Sequence, residues 1–253
     1  MKLALIGYGR MGRALHETAM QTGHEIVALI DPAPNAGAMF KSIEAEAVAE
    51  ADVCLEFTAP QSAAENLLRL IELGKPTVCG STGWHSRQDE VHEAVKKNNG
   101  ALLCAANFSI GVNLFYRIVE HAAGLFDKFA DYEPYVLEHH HSGKADAPSG
   151  TALQLAEIVR GAIDRKTALA LERLDRKLKP EEISVAAVRA GGQPGLHTVG
   201  FDGPLDGITL THANRDRVSL AHGALLAAEW LQGRKGCFEF NDAIDEILNS
   251  ARG

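Results

Sequence analysis

An apolar run, Lys2-Leu3-Ala4-Leu5-Ile6, passes directly into Gly7-Tyr8-Gly9-Arg10-Met11-Gly12, and residues 13–20 have helical character. A second apolar run, residues 25–30, then ends at Asp31. Buried parallel strands read as continuous apolar runs, so the order is strand, glycine turn, helix, strand. In such a unit Gly7 permits the tight turn, Gly9 lets the backbone approach a pyrophosphate, and Gly12 lets helix and strand pack closely. Tyr8, Arg10 and Met11 lie in the same turn. Asp31, nineteen residues past Gly12, stands where a carboxylate accepts hydrogen bonds from a ribose diol; the competing reading is a solvated strand end before Pro32. The stretch predicts a dinucleotide-binding βαβ unit.

The alternation continues. Strands are expected at 53–57, 76–79 and 101–105, with helices at about 62–73 and 86–98. Each strand runs into a loop of small, polar or glycine residues: Phe57-Thr58, Gly80-Ser81-Thr82 and Ala105-Ala106-Asn107-Phe108. Ligands of open parallel sheets collect at the carboxyl ends of strands, so these loops are candidate cofactor walls. Ser109 is a candidate cap for a helix at about 110–126. From residue 132 the pattern changes to strands at 132–139, 183–188, 196–201 and 207–212, interrupted by a helix at about 149–164. Short Gly/Pro turns join the last three, which suggests a meander. The charged stretch 165–182 reads as a mobile connection. Helices at 219–232 and 241–249 return to the first domain. The expected fold is α/β: a Rossmann-type doubly wound parallel sheet, residues 1–109 completed by 217–253, with an inserted α+β domain, residues 110–216, for substrate binding and oligomerisation.

The chemistry concentrates in Glu138-His139-His140-His141-Ser142-Gly143-Lys144-Ala145-Asp146-Ala147-Pro148-Ser149-Gly150-Thr151, at a corner from strand through loop to helix. Unpaired N–H groups at a helix start attract anions. Imidazoles, a lysine and such a start suit a small acid that must be held and protonated, against the plainer reading of a solvated polar loop. Three consecutive histidines also suggest a metal. Alternation along a strand puts only His139 and His141 on one face, and no cysteine or carboxylate completes a familiar ligand spacing, so no metal is expected.

The net charge of −8 and pI near 5.8 argue against nucleic acid or an acidic membrane surface as partner. Any anionic ligand must be met by local positive groups. Cys54, Cys79 and Cys104 sit in or beside apolar runs and read as buried reduced thiols; with Cys237 they form no CxxC pair. There is no leader pattern and no apolar run of membrane-spanning length, so a cytoplasmic protein without a membrane partner is expected.

These motifs, with Ala59-Pro60, Gly83, Ile110-Gly111-Val112-Asn113 and Arg189-Ala190-Gly191-Gly192, carry a resemblance to the 4-hydroxy-tetrahydrodipicolinate reductase (dihydrodipicolinate reductase) family. They occur in the family's order over essentially the whole chain, and the 140–152 motif is far more specific than the glycine turn. The resemblance implies reduction of a cyclic, dicarboxylated imine by NADH or NADPH with loss of water, in diaminopimelate and lysine biosynthesis, by a homotetramer assembled through the second domain's sheet. It assigns the acid chemistry to His140 and Lys144. Lys144 is the favoured donor, with His140 polarising or relaying, and the roles can be exchanged. Carboxylate anchors match His141, Lys144 and the N–H groups of Ser149-Gly150-Thr151.

Departures from the family pattern are His139, to which no role is given, and Ser81 in place of a usual threonine. No arginine adjoins Asp31 to meet a ribose 2′-phosphate, so NADH is expected to serve at least as well as NADPH unless Lys41 folds back. Arg189 and Arg217 are either functional or structural ion-pair partners. The rival functions are another Rossmann-fold dehydrogenase of a small carboxylated substrate, and a non-catalytic dinucleotide sensor; the intact His140 and Lys144 argue against both.

Overall fold

The computed structural model describes residues 1–171 and 174–250. In chain order its elements are β1 (Lys2–Ile6), α1 (Arg10–Gln21), β2 (Glu25–Ile30), the single turn α2 (Ala45–Val48), β3 (Val53–Glu56), α3 (Pro60–Glu72), β4 (Thr77–Cys79), a 3₁₀ turn (His85–Arg87), α4 (Gln88–Lys97) and β5 (Ala101–Cys104). There follow α5 (Ile110–Phe126), β6 (Glu133–His140), α6 (Gly150–Ala162), β7 (Ala168–Ala170), β8 (Glu182–Arg189), β9 (Leu196–Asp202) and β10 (Gly207–Ala213). The chain closes with α7 (Val218–Leu231), β11 (Gly236–Glu239) and α8 (Phe240–Ser250). It divides into two compact units, Met1–Ile110 with Arg217–Gly253, and Gly111–Asp216.

The first unit is built on a six-stranded sheet in the order β11-β5-β4-β3-β1-β2, parallel throughout. Its central strands are buried on both faces, which is why β1, β3 and β4 carry unbroken apolar runs. Ala63, Leu67 and Ile71 of α3 pack with Val91 and Val95 of α4 against Cys79 and Leu102. Strand order reverses at β1, whose neighbours are β2 and β3; such a switch point is where open α/β sheets bind ligands.

The second unit is a five-stranded mixed sheet in the order β10-β9-β6-β8-β7. Phe115, Val119 and Ala123 of α5 and Leu155, Ala156 and Val159 of α6 cluster with Val136, Ile183, Val185, Val199 and Phe201 of the strands. The opposite face lacks this cover: Leu137 is 39% and Val188 43% exposed.

Three expectations are corrected. The strands 182–213 are not a meander: β9 and β10 form an antiparallel pair, but β8 pairs in parallel with β6, which lies between β8 and β9. Strand patterning identifies strands and not their neighbours. The stretch 165–182 contains β7, paired with β8, and a buried Lys166; residues 172 and 173 lie outside the described residues. Finally, β11 adds a sixth strand to the first sheet. Among the described residues no helix is long and apolar enough to cross a membrane. All four cysteines are free; Cys54 and Cys79 are buried, Cys104 is partly buried and Cys237 is exposed.

Candidate functional site

In the first unit, the carboxyl ends of β3, β4 and β5 open onto a cleft of about 210 Å³ lined by Met11, Phe57, Thr58, Gly80, Ser81, Ala106, Asn107, Phe108 and Leu220. All but Leu220, which arrives from α7, are residues singled out in the sequence; Thr82 and Ala105 lie outside this lining. Thr58 N–H donates to Ser81 Oγ (2.8 Å), tying the β3 loop to the β4 loop. Beneath them sits Glu56, fully buried. It accepts from Thr58 Oγ1, from Asn66 Nδ2 (3.1 Å) and from Cys79 Sγ (3.5 Å). The Cys79 thiol is pushed up by its hydrogen bond with Cys104 and by burial, so it stays protonated as a donor. Glu56 is a site residue that sequence reasoning missed, although a lone carboxylate ending an apolar strand is a visible signal.

The glycine turn stands at the start of α1. Gly7 has φ +93°, and a β-carbon on Gly12 would lie 2.1 Å from the Gly7 carbonyl oxygen. A β-carbon on Gly9 would meet nothing within 4 Å, and no side chain caps α1. The helix thus presents open N–H groups to an unfilled approach, as a pyrophosphate requires. Asp31 is more committed than its position in the sequence suggests. Its oxygens accept from Tyr8 N–H (2.7 Å) and Ala33 N–H (2.9 Å), so it braces the glycine turn as well as ending β2. Arg13 is a cation that sequence reasoning overlooked: it stacks 4.7 Å over the Tyr8 ring and donates to Ala36 carbonyl (2.8 Å).

In the second unit, β6 alternates so that Val136, Glu138 and His140 face inward and Leu137 and His139 outward. His139 accordingly stands apart from the site, its ring nitrogen 3.0 Å from the Ala190 carbonyl. His141 follows the strand end, held by its N–H to Gln193 carbonyl (2.7 Å). Lys144 Nζ is gripped by both oxygens of Asp146 (2.7 and 2.9 Å). Ser149 caps α6 by accepting from Ala152 N–H (3.2 Å). Its own N–H and hydroxyl both donate to Glu138, so Ser149 has no N–H left for a ligand. Among the described residues no partner meets the Gly150 and Thr151 N–H groups at the helix start, and the Thr151 side chain is hydrogen-bonded to Tyr116.

Glu138 is fully buried and joins four residues. One oxygen accepts from Ser149 N–H (2.8 Å) and Arg189 Nη2 (2.7 Å); the other accepts from Ser149 Oγ and lies 3.2 Å from His140 Nδ1 and 3.8 Å from His197 Nε2. Burial pushes its carboxyl up, but the bonds from Ser149 and Arg189 and the neighbouring His140 outweigh this and hold it below the usual range. Burial pushes His140 down, partly offset by Glu138 and reinforced by Lys144 and Arg189. His197 is pushed down to about 4, chiefly by burial and then by His140.

The donor atoms of Glu138, His140 and His197 lie within 4.8 Å of one another, a constellation that linear spacing cannot reveal. Arg189 meets the other oxygen of Glu138, and Ser149 Oγ donates to the one that faces the two imidazoles, so the buried charge is already compensated by protein groups. Arg189 also donates to Asp146 carbonyl, joining β8 to the Lys144 loop. Arg217 lies at the start of α7, in the first unit.

Comparison with known proteins bears on both units. Family models described as dihydrodipicolinate reductase, N-terminus and C-terminus, match residues 1–108 and 111–244. The 4-hydroxy-tetrahydrodipicolinate reductase of Christiangramia forsetii is 33% identical over 252 residues, covering 99% of this chain and 100% of that protein. That of Ralstonia pickettii is 34% identical over 264 residues, covering 96% and 99%. Among solved structures, the dipicolinate-bound dihydrodipicolinate reductase from Paenisporosarcina sp. shares the fold, with a TM-score of 0.77, 22% identity, and 94% of this chain and 97% of that one covered. On the matches across both units, the chain belongs to the dihydrodipicolinate reductase family.

Proposed function

We propose that the chain reduces 4-hydroxy-tetrahydrodipicolinate to tetrahydrodipicolinate, with loss of water, in diaminopimelate and lysine biosynthesis, using NADH or NADPH. The carrying observation is the corner 138–151, where His140, Lys144 and an open helix start stand together in a member of this family. Bound at the first unit, the nicotinamide supplies a hydride. The residues of this chain then manage charge. Loss of the 4-hydroxyl and a neighbouring ring proton as water gives a conjugated imine; hydride arrival there leaves negative charge toward the ring nitrogen, and Lys144 donates the proton that removes it. His140, held beside Glu138, polarises or relays. The substrate carboxylates are met by His141, Lys144 and the N–H groups of Gly150 and Thr151; Ser149 serves through the helix cap. The reading is tested by substrate-dependent oxidation of NADH or NADPH.

The cofactor turn comprises Gly7, Tyr8, Gly9, Arg10, Met11, Gly12 and Asp31, with walls at Phe57, Thr58, Gly80, Ser81, Thr82, Ala105, Ala106, Asn107 and Phe108. NADH serves at least as well as NADPH, because the Asp31 carboxylate favours a diol over a phosphate and Arg13 has a guanidinium N–H engaged by Ala36. Asp31→Asn keeps one acceptor oxygen, enough for Tyr8 N–H, gives up the bond from Ala33 N–H and removes the charge. Its ratio of kcat/KM for NADH over NADPH should fall about tenfold, as expected for losing a charged hydrogen-bond acceptor. An unchanged ratio places the diol elsewhere.

The protein is a homotetramer through the outer face of the second sheet, a reading supported by the exposed apolar Leu137 and Val188. Leu137→Asp should lower the sedimentation coefficient to that of a smaller species. A wild-type chain that sediments as a monomer contradicts the assignment.

A further inference from the structure

Glu138 has no place among the groups that would touch substrate, yet it is the most connected side chain of the second unit's site. Three strands and a helix start meet on it: His140 from its own strand, Arg189 from β8, His197 from β9 and Ser149 at the start of α6. Burying a carboxylate this completely is unfavourable unless partners compensate, and here the partners are groups the proposed reaction needs. Toward His140 the contact is electrostatic: Nδ1 lies 3.2 Å from the carboxylate without the alignment of a hydrogen bond. Such bonds are often loose before substrate arrives. Gly195 makes room for the ring, because a β-carbon there would lie only 3.0 Å from Nε2.

We propose that Glu138 is a positioning residue: one buried carboxylate orients the His140 imidazole and, through Ser149, sets the start of α6, so that the proton-transfer group and the carboxylate-binding N–H groups are placed by the same anchor. The proposal rests on the reading above that His140 takes part in proton transfer. The charged and titratable groups facing His140 are Glu138, Lys144, Asp146, Arg189 and His197, with His212 behind His197. Of these only Glu138 and Asp146 favour the imidazolium, and Glu138 is the stronger influence. With Glu138→Gln the charge is gone, and an amide N–H can donate to neutral Nδ1. The neutral ring is then favoured twice over.

The test is a titration of the histidine ring resonances of the full chain by NMR, with His140→Asn identifying the His140 signal, beside pH profiles of kcat and KM. In Glu138→Gln the His140 midpoint should fall by about one pH unit. For a relay that passes through the His140 imidazolium, the alkaline limb of kcat should move to lower pH by the same amount. Glu138→Asp, with its charge withdrawn by one methylene, should show a smaller shift of the same sign, and it carries the test if the glutamine variant does not fold. Ser149→Ala should raise KM without moving the His140 midpoint. Unshifted midpoints in both Glu138 variants overturn the proposal. Wild-type turnover in His140→Asn would instead remove His140 from the reaction, while the NMR shifts would still report whether Glu138 controls the ring.

Discussion

Replacing Lys144 with alanine is expected to lower turnover at least about 100-fold while dinucleotide affinity changes little. A general acid contributes about 100- to 10,000-fold, or roughly 3–5 kcal/mol of barrier, and Lys144 is the group best suited to act as one. Its side chain is a quarter exposed, and its ammonium is held by Asp146 at 2.7 and 2.9 Å. An ammonium has three donors, so this grip fixes the nitrogen and leaves an N–H for substrate. Loss of a group used only as charge develops lowers kcat and kcat/KM together, whereas loss of a carboxylate anchor raises KM. Lys144 is assigned both tasks, so both parameters should worsen, with kcat affected more. Cofactor binding, measured by fluorescence titration, should stay within about twofold, because the glycine turn and the β3–β5 loops are untouched. Near-normal turnover in the variant would remove Lys144 from the chemistry.

The second large effect concerns stability. Lys166 is fully buried, and its three ammonium protons meet three acceptors: Glu133, Pro180 carbonyl (2.7 Å) and Glu182 carbonyl (3.1 Å). The side chain fastens the segment after α6 to the starts of β6 and β8. Lys166→Ala leaves two carbonyls without their donor and a cavity where the four-carbon stem packed. The expected loss is about 2–4 kcal/mol in urea unfolding, between the cost of unsatisfied buried groups and that of a broken buried ion pair. The cost stays below the upper end because Glu133 is about half exposed and can be rehydrated. Lys166→Met, which restores the stem but not the charge, should recover part of it. A change within about 0.5 kcal/mol for the alanine variant would mean that water already serves these carbonyls.

That lysine also marks where linear reading stops. Residues 165–182 are charged, and charge ordinarily means a solvated connection; Lys166 is instead an interior staple, and the short β7 is secured by pairing with β8. The edge strand β11 escaped notice for a related reason. Only one of its sides is paired, and its burial alternates, so it lacks the continuous apolar run that announced β1, β3 and β4. The first unit was otherwise legible because its buried strands β3, β4 and β5 each run into a loop of small or polar residues at one edge of the sheet. The site corner was legible because His140, Lys144 and the α6 cap are neighbours in the chain. Glu138 sat in the same motif without a role, although it shares an inward face with His140 at a spacing of two. Its partners Arg189 and His197 lie on other strands, and only the order β9-β6-β8 brings them together. Asp31 shows the same limit: its position was visible, its bond to Tyr8 was not.

The proposed reaction is measured most directly by following NADH and NADPH oxidation in parallel, with the substrate generated in situ from pyruvate and aspartate semialdehyde. Rapid oxidation that depends on that substrate is expected, with NADH at least as effective as NADPH, and it should be lost in Lys144→Ala. Binding of both dinucleotides without oxidation of either would contradict the proposed reaction, leaving the Gly150 and Thr151 N–H groups and His141 as a site for some other acid.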